Sequence, residues 1–330
     1  MSEPGGEASG GHWTEEREAA KSYLQFRLLT GMLRLLPLPL IRIAAFPISF
    51  FYFIFSGKRR KESRRFLEMV STASGKKFSS SYKHFTSFAL YVVEKAAAWA
   101  GRIEEKQIHY HDDDMDKFVA DIEQKRGALL ICSHFGNADM LRALADFSRT
   151  RASVSFPVFS IVDFTVTEKF NRMLRDINPE SENHLVNAGD IGPETVERLE
   201  DCLSRGGLIV IIGDRTARAK EAGGLVKDRG HRRFTFPFLG KPAPFPAGPF
   251  FLAALLKASV YFVFAVRRGD LSIKGEYDML VQKADVDFNC PRSQRNARIE
   301  ALARSFTETL EKQCVKNPYQ WYNIYDFWMS

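Results

Sequence analysis

Three short, unbroken apolar runs restrict this chain more than any other feature. They are Gly127-Ala128-Leu129-Leu130-Ile131-Cys132, Leu208-Ile209-Val210-Ile211-Ile212 and Val260 to Val266. A strand that is apolar at every position buries both faces, and such strands belong to sheets covered by helices on each side. Helical patterns separate them: Ala138 to Phe147, Asp163 to Asp176, Pro193 to Ser204 with proline at its start, residues 247 to 257, and a charged stretch over about 291 to 316. Ala152 to Ser160 reads as a further strand, and residues 59 to 100 as two helices divided at Ser74-Gly75. This alternation predicts an α/β fold whose central sheet is mixed, largely parallel and covered by helices. No internal repeat and no Pro/Gly-rich linker divides it.

The stretch from Leu35 to Phe55 is apolar apart from Arg42 and Ser49, and Lys58, Arg59, Arg60, Lys61, Arg64 and Arg65 follow it at once. A span of about 20 apolar residues suffices to cross a bilayer. Pro37, Pro39, Pro47 and Arg42 oppose a clean spanning helix, since proline breaks the ladder and a charge is costly at the centre. Two membrane readings follow, a kinked spanning helix or an interfacial anchor, with the basic flank on the cytoplasmic face in either. A buried core helix followed by a solvated charge run is the alternative. Ahead of it, residues 1 to 20 read as a disordered tail with no secretory signal.

Lys and Arg outnumber Asp and Glu by 47 to 40, a modest excess that suits nucleic acid, an anionic membrane or an acidic protein partner equally. Location decides: the basic residues cluster beside an apolar anchor instead of interleaving with aromatics, which disfavours nucleic acid. Cys132, Cys202, Cys290 and Cys314 form no C-x-x-C pair, so they read as reduced thiols and not as a zinc site. The 28 Phe exceed what a core of this length ordinarily needs, and some are expected to face lipid or a fatty chain.

Chemistry concentrates in Ser133-His134-Phe135-Gly136-Asn137-Ala138-Asp139. His134 follows a buried strand, where open α/β sheets place their ligands, and Asn137 is a natural cap for the next helix. That puts Asp139 in the first helical turn, from which its carboxylate can come back to the imidazole. A hydroxyl needs a neutral imidazole to take its proton, and a carboxylate on the far ring nitrogen fixes the tautomer. Spacing alone leaves a core histidine satisfied by a carboxylate equally open.

Gly213-Asp214-Arg215-Thr216 ends a second buried strand. Arg215 suits an anionic donor group or a phosphate and Asp214 suits holding Arg215 or a loop; a structural ion pair is the competing reading. Arg218, Arg229, Arg232 and Arg233 follow in a Gly-rich stretch that is either a solvated loop or a contact for lipid phosphates or an acidic carrier protein. Residues 236 to 251, rich in Phe, Pro and Gly and including Phe245 and Gly248, read as an apolar loop. Such a loop lines an acyl-chain tunnel or packs under the sheet. His109-x-His111-Asp112-Asp113-Asp114 reads as a helix start, and no metal is expected there. No nucleotide-binding glycine motif or nucleophile elbow occurs.

With these residues together, the chain resembles the bacterial lipid A biosynthesis acyltransferases, the late lauroyl/myristoyl transferases. These belong to the wider glycerolipid acyltransferases marked by His-x-x-x-x-Asp/Glu. Four blocks carry the resemblance in order: His134-Phe135-Gly136-Asn137-x-Asp139, Gly213-Asp214-Arg215-Thr216, Phe238-Leu239-Gly240-Lys241-Pro242-Ala243 with Phe245-Pro246-Ala247-Gly248-Pro249, and Asn317 to Trp328. It implies a cytoplasm-facing enzyme of the inner membrane, using acyl-carrier protein or coenzyme A thioesters and no cofactor or metal. It implies His134 and Asp139 as catalytic, and Asn137, Asp214, Arg215, Arg233, Phe245 and Gly248 about the substrates. The expected organisation is a tail over 1–20, a membrane-anchoring helical region over 21–66 and an acyltransferase domain over 67–330. Asp139 stands where lipid A transferases usually have Glu, and Arg215 where Gln is frequent. The resemblance implies a lipid A precursor or a related lipid hydroxyl as acceptor, while these two departures and the Tyr325-Asp326-Phe327-Trp328 ending point away from it. The alternatives are another acceptor, such as an acylated pigment or aminolipid, or a catalytically inactive lipid-binding relative.

Overall fold

The computed structural model describes residues 23–110, 113–141, 157–162, 185–215 and 233–329. Helices α1 (Tyr23–Leu35), α2 (Leu38–Phe55), α3 (Gly57–Ser74) and α4 (Ser81–Trp99) precede strand β1 (Ile108–Tyr110), helix α5 (Asp113–Glu123) and strand β2 (Ala128–Cys132). Strands β3 (Val158–Val162) and β4 (Leu185–Asn187), helix α6 (Pro193–Ser204) and strand β5 (Leu208–Ile212) follow. The chain continues through β6 (Arg233–Phe238), β7 (Lys241–Pro246), α7 (Gly248–Leu256), β8 (Ser259–Arg267), β9 (Tyr277–Lys283) and α8 (Arg292–Lys316).

The sheet has seven strands in the order β1-β9-β8-β2-β5-β3-β4. Strands β8, β2, β5, β3 and β4 are parallel; β9 turns back antiparallel to β8, and β1 pairs parallel with β9. The expected mixed, largely parallel α/β sheet is therefore present, and its three centre strands are the three apolar runs. Two cores sandwich it. Leu129, Ile131, Ile209 and Ile211 face one together with Phe250 and Phe306, while Leu130, Cys132 and Tyr261 face the other with α4 and α5. Alternation across each strand is why every position had to be apolar.

Helices expected over 193–204, 247–257 and 291–316 form within a residue or so of those bounds. The division at Ser74-Gly75 holds, with Gly75 in the left-handed conformation that closes α3. The strand expected from Ala152 is described only from Val158, and the helix expected over 163–176 lies outside the described residues. Residues 236 to 251 are not a loop: β6 and β7 pair as an antiparallel hairpin. Its two-residue turn, Leu239-Gly240, has positive φ at both positions (52° and 78°), the geometry that closes tight hairpins. The prolines are tolerated because a two-stranded ribbon has only edges.

Among the described residues α2 is the one helix long and apolar enough to cross a membrane, a weak hint of membrane association. Pro37 caps it and Pro47 lies within it.

Candidate active site

Strand register builds the site. Cys132 and Ile212 are partners in the β2–β5 ladder, so the next residues out, Ser133-His134 and Gly213-Asp214, emerge side by side. The Gly213 amide extends the ladder by donating to the Cys132 carbonyl at 2.8 Å. Two residues 80 apart in sequence thus arrive at one point, at the carboxyl edge of the sheet.

The loop after β2 is clamped from two directions. The Gly136 amide donates to the Gln320 carbonyl (2.8 Å), the Tyr322 amide to the His134 carbonyl (2.8 Å) and the Asn137 amide to the Ala265 carbonyl (2.9 Å). Gly136 has φ +65°, and a Cβ there would lie 2.1 Å from the Ala265 oxygen, so only glycine fits.

Asp214 is fully buried, and its carboxylate is saturated with donors. Oδ1 accepts from His134 Nδ1 at 2.8 Å, and the two oxygens share the His134 amide at 3.1 and 3.0 Å. Oδ2 accepts from Trp321 Nε1 and Asn323 Nδ2, each at 3.0 Å. Burial opposes its charge, but His134, Arg215 and the Trp321 donor outweigh that, and its pKa lies below the ordinary carboxylate value.

A carboxylate on Nδ1 demands that this nitrogen carry the proton, leaving Nε2 with the free lone pair. Nε2 makes no hydrogen bond among the described residues, and the side chain is 24% exposed. Burial and then the Arg215 charge push the imidazolium down to about 4, against the pull of Asp214. The ring is a neutral base at pH 7, oriented by an anion and open at the far nitrogen. That is the constellation able to take a proton from a hydroxyl during acyl transfer.

Asp139 lies elsewhere than the spacing suggested. It precedes the helix, in a turn, and its carboxylate accepts from Trp99 Nε1 at 2.7 Å and pairs with Lys95 Nζ at 3.3 Å. Its carboxylate makes no hydrogen bond to the imidazole among the described residues; the carboxylate on Nδ1 is that of Asp214, one strand over in register. Lys95, held by Asp139 and the Tyr91 hydroxyl, has a raised pKa even though burial pulls it down. It joins Arg215 in lowering the His134 imidazolium.

Arg215 donates from Nη2 to the Tyr322 carbonyl at 3.1 Å and from Nε to Asn323 Oδ1, and its guanidinium lies 5.4 Å from the Tyr325 ring centre. Its partners are therefore in the C-terminal segment and not the Asp214 carboxylate alone. The Asn137 side chain is buried, and neither polar atom of its carboxamide has a hydrogen-bond partner among the described residues. Arg233 is exposed at the start of β6. Phe245 packs at 5.5 Å on Phe238 and 5.4 Å on Phe327 inside the core, which is the packing alternative and not an open wall. Gly248 begins α7 with open space where a Cβ would be. The other arginines of the Gly-rich stretch lie outside the described residues.

Lys95, Trp99, Trp321 and Asn323 complete the cluster and carry no local signal of it. Trp321 and Asn323 stand in the aromatic C-terminal block, which resemblance picks out without a role.

The chain matches the family described as bacterial lipid A biosynthesis acyltransferase over residues 19–330. No curated protein matches it. With a match over nearly its whole length, the chain belongs to the bacterial lipid A biosynthesis acyltransferase family.

Proposed function

We propose that this acyltransferase moves a fatty acyl group from a thioester of acyl-carrier protein or coenzyme A to a hydroxyl of a lipid acceptor at the cytoplasmic leaflet of the inner membrane. The observation that carries the chemistry is the His134 ring, held at Nδ1 by Asp214 and open at Nε2. Nε2 takes the acceptor's hydroxyl proton as its oxygen attacks the thioester carbonyl. The C–O bond forms, the tetrahedral intermediate collapses, the C–S bond breaks, and the imidazolium returns the proton to the leaving thiolate.

Asp139 serves the reaction through Lys95, whose ammonium it holds within electrostatic reach of His134. Lys95 and Arg215 both make the imidazole harder to protonate, and the same positive field stabilises the oxyanion of the intermediate. Asn137 offers the substrates a buried carboxamide that no described residue engages. Arg215 and the exposed Arg233 suit the phosphates of the donor or acceptor. Gly248 leaves room for an acyl chain at the start of α7.

The test is turnover of acyl-carrier protein and coenzyme A thioesters by the purified chain with extracted inner-membrane lipid, read as thiol release and as acylated lipid by mass spectrometry. His134→Ala is expected to stop both while leaving the far-ultraviolet spectrum intact. Free fatty acid with no acylated lipid would make the chain a hydrolase, and undiminished transfer by His134→Ala would refute the base.

A further inference from the structure

The large hydrophobic side chains exposed among the described residues are not scattered. All but Leu255 and Ile273 lie between Leu28 and Phe55. On α2 the usual amphipathic order is reversed. Its buried stripe, Leu38, Ile41, Arg42, Ala45 and Ser49, holds the helix's one charged side chain, and its outer face shows Leu40, Ile43, Ile48, Phe51 and Phe55. Phe55 is 83% exposed.

The inner stripe is bonded along α4, with the two helices antiparallel. Arg42 Nε meets Glu94 at 2.9 Å, Ser49 Oγ meets Thr86 Oγ1 at 3.0 Å, and the Phe53 and Phe85 rings lie 5.3 Å apart. Arg42 also donates to the Ile273 and Lys274 carbonyls at 3.1 and 3.0 Å, enclosed by the loop at Gly275, where a Cβ would lie 2.1 Å from the guanidinium. So α2 is fastened to the domain along its length.

That fastening decides between the two membrane readings. An 18-residue helix is about 27 Å long, close to the hydrocarbon thickness of about 30 Å. To span, it would have to drag α4 with Glu94 and Lys95 into the hydrocarbon, or leave α4 and carry the Arg42 charge there without its Glu94 partner. Lying flat requires neither, because only the apolar outer face meets lipid.

Charge identifies the occupant. Immediately past Phe55, α3 opens with Lys58, Arg59, Arg60, Lys61 and Arg64. Lys58, Lys61 and Arg64 are exposed, and none makes an ion pair among the described residues. An anionic headgroup layer complements this flank. A second copy docking on the same face would bring the same positive charges together.

We infer that the chain is monotopic: α2 lies in the plane of one leaflet of an anionic bilayer, apolar face inward, with the basic start of α3 on the phosphates. This rests on the membrane part of the proposed function and not on acyl transfer.

The test uses the full chain on vesicles of phosphatidylcholine alone or mixed with phosphatidylglycerol. Nitroxide labels on Leu40→Cys, Ile48→Cys and Phe55→Cys report depth through their accessibility to oxygen and to a polar relaxation agent. All three are expected at one shallow depth. Binding is expected to weaken at least tenfold without phosphatidylglycerol, and at least tenfold in Phe51→Ser/Phe55→Ser, whose near-ultraviolet circular dichroism should match the unchanged chain. Ile48 deep with Leu40 and Phe55 near opposite surfaces would overturn the inference in favour of a span. Equal binding to both vesicle types would overturn the anionic contact. A chain that ignores vesicles and dimerises through this face would overturn the leaflet as occupant. Loss of acyl transfer with the shallow profile intact would count against the chemistry alone.

Discussion

His134 and Asp214 meet at 2.8 Å because β2 and β5 are parallel neighbours whose last residues, Cys132 and Ile212, stand in register. The carboxylate fixes the Nδ1–H tautomer and leaves Nε2 as the base. Asp214→Asn keeps the shape and removes the charge that sets the tautomer. Its kcat/KM should fall on the order of 10³ to 10⁴, by the cost of a wrong tautomer in comparable dyads. Steady-state thioester kinetics on a variant shown to be folded measure this. Activity within tenfold of the unchanged chain would remove Asp214 from the mechanism.

The same site sets a pH dependence. Burial and Arg215 hold the His134 imidazolium at about 4, so the base is already neutral well below pH 6.5. The acid limb of kcat/KM should therefore fall near 4, where an ordinary histidine would place it near 6.5. Lys95→Ala removes a positive charge that lowers this pKa, so its limb should move upward. A limb near 6.5 in the unchanged chain would contradict the desolvated ring.

Stability responds in the same window through His84, buried on α4, whose Nε2 donates to the Trp321 carbonyl at 2.8 Å while Ser63 bonds Nδ1 at 3.0 Å. Burial lowers its pKa to about 4, so between there and 6.5 the unfolded chain binds the proton that the folded chain refuses. Stability is complete above pH 6.5 and falls as pH drops toward 4, by about 3 kcal/mol for this group. Urea titrations at pH 7.5 and 4.5 should show it, and His84→Gln should reduce the difference, leaving the part that His134, also held at about 4, contributes. An equal pH dependence in both would show that His84 does not contribute.

Much of this was legible in sequence because it is local. Apolar runs name buried strands directly, and proline starts and a glycine stop bound α6 and α3. The His134 loop shows itself by Gly136 and by its place after a strand. Pairing was not legible, because register decides it. Nothing in the His-x-x-x-x-Asp spacing says that a carboxylate 80 residues away will arrive first at Nδ1, nor that Asp139 will turn to Lys95 and Trp99 on α4. The residues 236 to 251 misled for a related reason. Prolines hide strand character, and only the two positive φ values at Leu239-Gly240 make the hairpin.

Asp139 and Lys95 should act as one unit. If Asp139 works by holding the ammonium, Asp139→Asn and Lys95→Met each weaken catalysis, and the double variant is little worse than the poorer single. A double-mutant cycle on kcat/KM should give a coupling of about 1–3 kcal/mol, the range for residues in contact. Lys95→Arg should recover part of the loss. Additive effects would assign Asp139 a role independent of Lys95.

Glu94 is the residue whose loss should cost the fold most. It is fully buried and takes Arg42 Nε at 2.9 Å, Arg267 Nε at 2.9 Å and Nη2 at 2.8 Å, and the Tyr277 hydroxyl. One anion therefore serves two buried cations, and it ties α2 to α4 and both to β8 and β9. Glu94→Gln leaves both guanidiniums without a counter-charge, a loss of about 3–5 kcal/mol by the cost of breaking a buried pair. Arg42→Met removes one cation and leaves Glu94 paired with Arg267, so its cost should be clearly smaller. Guanidinium denaturation of the three chains measures the order. If Arg42→Met proves the worse, the tether on α2, and not the charge balance around Glu94, is what stabilises the fold.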